Sequence, residues 1–92
     1  MKIDDVSSLR VIADRLTADG FYAYVRHDGS TPLLFALGVK KSHSVDFRRR
    51  GSALVIGYWY GYPDDDFISE QMVPTFEAAV PPISSWLARD AA

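Results

Sequence analysis

The chain runs on two hydrophobic periods, and the change between them falls at Gly20. Before it, Val6, Leu9, Ile12, Ala13 and Leu16 recur at three- and four-residue spacing. That spacing lines one face of a helix, so residues 5–19 are predicted helical. Asp4 or Asp5 can cap the start by accepting from free backbone N–H groups. Gly20 can take the left-handed conformation that ends a helix, with Phe21 as its hydrophobic partner.

After Gly20 the period shortens to two, which predicts strands at 21–27, 33–39, 44–49 and 53–60. The first turn contains Asp28-Gly29. A five-residue loop, Asp28 to Pro32, keeps proline out of the ladder and pairs Val25 with Phe35. It gathers Phe21, Ala23, Val25, Leu33, Phe35, Leu37 and Val39 on one face. A turn at Arg50-Gly51 sets Phe47 opposite Leu54 and Val45 opposite Ile56, so that core residues meet core residues.

From Ile68 the helical period returns. Ile68, Met72, Phe76, Val80, Ile83 and Leu87 form one stripe, with Asp65 or Asp66 as its cap. Pro74, Pro81 and Pro82 interrupt it. Each removes a donor and crowds the preceding turn, so residues 66–90 are expected to be one kinked helix or several short ones sharing a buried face. The fold class is α+β in the order α-β-β-β-β-α. The expected architecture is a four-stranded antiparallel meander with both helical segments on one face, formed by residues 1–92 as a single domain.

The aromatic run Tyr58-Trp59-Tyr60, with Gly57 and Gly61 beside it, divides by alternation. Leu54, Ile56, Tyr58 and Tyr60 should face the helices. Trp59 should stand on the other face, with Tyr22, Tyr24, Arg26, Leu34, Ala36, Gly38, Asp46 and Arg48. That face is aromatic and basic, and an exposed apolar patch rimmed by charge marks an interaction site.

Composition changes this picture mainly by exclusion. The 92 residues are 48% hydrophobic and 13% aromatic, values of an ordinary globular domain rich in aromatics. With no cysteine there is no disulfide framework and no thiolate chemistry. The first residues lack the apolar core of a signal peptide, and no apolar run is long enough to span a membrane. A cytoplasmic location and no membrane partner are expected. Net charge is −2, but five of the ten basic residues lie between Lys40 and Arg50.

Candidate chemistry is sparse. Asp64, Asp65, Asp66 and Glu70 lack the ligand spacing of a calcium loop, and His27 and His43 without cysteine make a poor zinc set. No serine sits in a glycine-flanked elbow, and no glycine-rich phosphate loop occurs. No catalytic residue, metal or cofactor is expected. The reading is a non-catalytic protein-interaction module: a small regulator, inhibitor, adaptor or immunity-type protein that binds a partner or a second copy. Its contact residues are Trp59, Tyr22, Tyr24, Arg26, Arg48, Arg49 and Arg50. One alternative is a nucleic-acid-binding domain that uses the basic hairpin 40–50 and the same aromatics. A small enzyme of unknown class is the other.

Overall fold

The computed structural model describes residues 5–91; the Asp4 cap expected from the sequence lies outside them. Helix α1 (Asp5–Ala18) leads into strands β1 (Tyr22–Asp28), β2 (Thr31–Leu37), β3 (His43–Arg50), β4 (Ala53–Tyr60) and β5 (Asp66–Val73). A 3-10 turn (Glu77–Ala79) and helix α2 (Val80–Ala88) follow. The sheet is antiparallel throughout, in the order β1-β2-β3-β4-β5.

The end of α1 is as expected. Gly20 has φ +97°, and the N–H of Phe21 donates to Leu16 O (3.0 Å) while that of Gly20 donates to Thr17 O (3.0 Å). This pair of bonds satisfies carbonyls that the helix leaves open. At the other end, Asp5 accepts from Nε and Nη2 of Arg49 at 2.9 and 3.2 Å, tying α1 to β3.

Both tight hairpin loops have two residues, Gly29-Ser30 and Gly51-Ser52. Their glycines have φ +64° and +63°, the arrangement that puts glycine first in a turn matched to strand twist. The first loop corrects the five-residue expectation. Asp28 pairs with Thr31 and His27 with Pro32, one residue out of the predicted register. Pro32 costs nothing there. Pairs in such a ladder alternate between bonded and unbonded, so a loop closed by Asp28 and Thr31 leaves His27–Pro32 unbonded. Pairing with β3 begins only at Leu34. The slip turns β2 over: Leu34 and Ala36 lie beneath the helices, and Phe35 is on the opposite face.

At the second loop the register moves by two residues, with Phe47 opposite Ile56 and Val45 opposite Tyr58. An even shift preserves the faces. Tyr58 is therefore core-side and Trp59 opposite, as predicted. Tyr60 lies at the strand end, stacks edge-on against His43 at 5.0 Å and stays exposed.

The sheet has five strands, not four. Residues 66–73 form β5 instead of the first part of a helix, and Pro63 and Pro74 bracket it. Central β4, with five consecutive buried residues, needs a strand on each side. Ile68 and Met72 are consequently exposed rather than core. The remaining prolines do not kink a helix. Pro81 and Pro82 occupy the first turn of α2, where N–H groups have no intrahelical partner.

One core joins the layers. Leu9, Ile12, Ala13 and Leu16 of α1 and Val80, Ile83 and Leu87 of α2 meet Leu34, Ala36, Val45, Phe47, Leu54, Ile56 and Tyr58. Those sheet residues share one face, so both helices cover the same side. Each large side chain buried there contributes ~1.5–3 kcal/mol. Among the described residues, no helix is long and apolar enough to cross a membrane.

Candidate interaction face

The face away from the helices is ordered by cross-strand pairing. Toward the Gly29 and Gly51 turns, Arg26 faces Leu33, and beyond them one row reads Arg48, Val55 and Met72. The next reads Tyr24, Phe35, Asp46, Gly57 and Glu70, and the third Tyr22, Leu37, Ser44, Trp59 and Phe67. Residues directly opposite one another share a face, so these rows stand side by side.

The aromatics on this face stack in two pairs. Tyr24 meets Phe35 at 5.5 Å, and Trp59 meets Phe67 edge-on at 5.2 Å. The loop after β4 returns over the sheet, bringing Tyr62 to 6.1 Å from Phe35. Arg26 lies 5.3 Å over the Phe35 ring. Tyr22, Tyr24 and Phe67 are each about half exposed, and Trp59 is half-buried.

Asp46 organises the centre. It accepts from the indole Nε1 of Trp59 at 3.3 Å and lies 3.7 Å from Arg48. Gly57 opposite makes room for it, because a Cβ there would sit 2.5 Å from Asp46 Oδ1. A shallow cleft of about 530 Å³ runs from Arg48 and Arg50 past Trp59 to Phe67 and Glu70. Beside it, a concavity of about 180 Å³ is lined by Arg26, Phe35, Asp46, Trp59 and Asp65. Burial raises the Asp65 carboxyl, and the charges of Asp64 and Asp66 add to the effect. Asp65 Oδ1 is buried without a hydrogen-bond partner.

The structure brings together Trp59, Tyr22, Tyr24, Arg26, Arg48 and Arg50, but not Arg49. Arg49 points to the helical side, onto Asp5 and 5.7 Å over Phe76. Leu34 and Ala36, expected on this face, are replaced by Leu33, Phe35 and Leu37. The arginine run is internally neutralised. Arg48 pairs with Asp28 at 3.2 Å, Arg49 with Asp5 and Arg50 with Glu70 at 2.8 Å. Phe35, Tyr62 and Phe67 join the site unforeseen. Phe35 was hidden by the register slip, Phe67 by the reading of residues 66–73 as helix, and Tyr62 by the path of the loop after β4.

A second polar cluster lies on the helical side. The buried carboxylate of Asp90 accepts from the backbone N–H of Ser42 (3.0 Å) and from the Ser42 hydroxyl, and its Oδ1 is 3.3 Å from His43 Nδ1. Ser42 Oγ lies 3.1 Å from that same nitrogen. In a nucleophilic relay the acid and the serine address opposite imidazole nitrogens. Here both address one, and the arrangement anchors the β2–β3 connection. Burial opposes the charge of Asp90, but bonds from Ser42 and His43 and from the backbone of Ser42 and Lys40 outweigh it, lowering the carboxyl to about 2. Gly38 lets it approach, since a Cβ there would be 2.6 Å from Asp90 Oδ2.

A groove of about 890 Å³ lies between the helices and is lined by Val11, Ile12, Phe76, Val80 and Pro81, with Arg15 and Glu77 as its charged members. Among the described residues, no group of three or more histidines and carboxylates could hold a metal ion. No family model, no curated protein and no solved structure matches this chain.

Proposed function

We propose that the chain is a non-catalytic protein-interaction module that binds through the open face of its sheet. One observation carries the reading: both helices cover one side of the sheet, while the other presents Tyr24, Phe35, Tyr62, Trp59 and Phe67. Aromatic side chains in a partly desolvated cluster are the usual anchors of a protein interface. Leu33, Leu37 and Val55 beneath them give that surface an apolar floor.

The internal pairing of Arg48, Arg49 and Arg50 favours a protein partner over a phosphate backbone, because each guanidinium would have to exchange a carboxylate for a phosphate. A photoreactive benzoylphenylalanine in place of Tyr24 tests the reading in extracts of the producing cells. It should capture a protein that the same probe at Asp14, on the exposed side of α1, does not. Equal capture from both positions, or none from Tyr24, overturns it. Salt-sensitive binding of a labelled oligonucleotide that Trp59→Ala abolishes would favour a nucleic-acid partner instead.

A further inference from the structure

The edge strand narrows the class of partner. β5 ends the sheet, and no described strand pairs with its outer side. Seven of its eight residues are exposed, and Phe67, Ile68 and Met72 are each more than half exposed. Edge strands that avoid pairing are short, carry charge, above all lysine, or proline, or are twisted away by a bulge. β5 has no lysine, arginine or proline. Its single irregularity, opposite Tyr58 and Trp59, leaves Ser69 to Val73 in regular register.

The charge along this edge has one sign. Residues 61–73 contain Asp64, Asp65, Asp66 and Glu70 and no base. Among the described residues Glu70 alone of these is ion-paired, to Arg50. A second copy of this edge would bring these carboxylates no cation, and a phosphate backbone would be repelled. An extended basic segment supplies the missing charge. A strand added here would project alternate side chains over the open face, beside Phe67 and Glu70.

We infer that β5 is a docking edge, and that its ligand is an extended partner segment in which lysine or arginine alternates with apolar residues, joining the sheet as a sixth strand. This rests on the open-face reading and specifies its partner. Backbone bonds to β5 supply the alignment, apolar residues meet Ile68 and Met72, and basic residues meet the carboxylates of Asp64, Asp65 and Asp66, Glu70 being held by Arg50.

The test uses the ¹⁵N-labelled full chain and three acetylated, amidated hexapeptides: Arg-Val-Arg-Val-Arg-Val, its glutamate counterpart, and Arg-Val-Arg-Pro-Pro-Arg, which keeps the charge. The basic peptide should slow amide exchange along β5 and shift the Trp59 indole signal while leaving that of Trp86 in place. The proline version should bind roughly tenfold more weakly, because one of two adjacent prolines must fall where the ladder needs a donor. Asp65→Asn with Asp66→Asn should weaken the basic peptide several-fold. Equal binding of the acidic peptide, equal binding of the proline peptide, or unprotected β5 amides overturns the inference. If the peptides fail while the probe at Tyr24 still captures a protein, the docking edge falls and the open-face reading stands. If both fail, both fall.

Discussion

Trp86 donates its indole N–H to the backbone carbonyl of Trp59 at 3.2 Å, and also to that of Ser44 at 3.0 Å. The two tryptophans therefore lie on opposite sides of one strand. Trp86 packs on Tyr58 (5.4 Å) and His43 (4.8 Å) in the helical layer. Trp59 stands over the open face. Substitution should separate them. Trp86→Ala should cost ~3 kcal/mol, the low end for a large aromatic, because Trp86 is partly buried against the core. Trp59→Ala should cost less than about 2 kcal/mol, its edge-on contact with Phe67 being worth ~0.5–1.5 kcal/mol. Chemical denaturation of the two variants checks the difference.

Gly57 and Asp46 should be energetically coupled. Alanine at 57 forces the Asp46 carboxylate away, breaking its bonds with Trp59 and Arg48. Gly57→Ala should destabilise by ~1–2 kcal/mol in the native background and by much less when Asp46 is already alanine. A double-mutant cycle showing additive effects would contradict the arrangement.

Acid should loosen the anchor at the β2–β3 connection. Asp90 titrates at about 2 in the folded chain, below the ~3.9 of an unfolded aspartate. Its contribution is therefore complete above pH ~4 and is lost as the pH falls from there through ~2, because the unfolded state binds the proton first. Asp90→Asn should flatten the melting temperature over that range. Asp65 acts in the opposite sense. Its carboxyl is raised by burial, so its charged form opposes folding, and Asp65→Asn should stabilise the chain at neutral pH.

Ending the chain after Val80 removes Ile83 and Leu87, both fully buried, together with Trp86. Three large apolar side chains at ~1.5–3 kcal/mol each are comparable to the ~5–14 kcal/mol that holds a chain of this size. The shortened chain should melt far lower or without cooperativity. Leu87→Ala is the milder version and should cost ~2–5 kcal/mol.

What the sequence made legible was local. The α1 stripe, the Gly20 stop and the side taken by Trp59 follow from spacing, and an even error in register leaves faces unchanged. The β1–β2 register failed because Pro32 was treated as barred from any ladder. It occupies a position where no donor is needed. β5 failed because Ile68 and Met72 lie four apart, a spacing that fits a helix and also one side of a strand. Only the bracketing prolines and the neighbour demanded by β4 distinguish the two. Arg49 was grouped with Arg48 and Arg50 by sequence adjacency, yet alternation sends it to the other side. Tyr62, brought over the sheet by the 61–65 loop, depends on a chain path that no periodicity encodes.

Asp90 reaches Ser42 across 48 positions of sequence, whereas every strand pair joins neighbours in the chain. During synthesis this sets an order of events. A hairpin closes in ~1–10 μs, while translation adds only ~5–20 residues per second, so each β-turn can sample its pairing as soon as it leaves the ribosome. The bend between β2 and β3 has to wait. Its Ser42 and His43 donors keep water as their partner until residue 90 emerges, several seconds of elongation later. A nascent chain stalled before that point would hold its hairpins but leave this bend unfastened, and chaperones would meet the sheet with the α2 side of its core still bare.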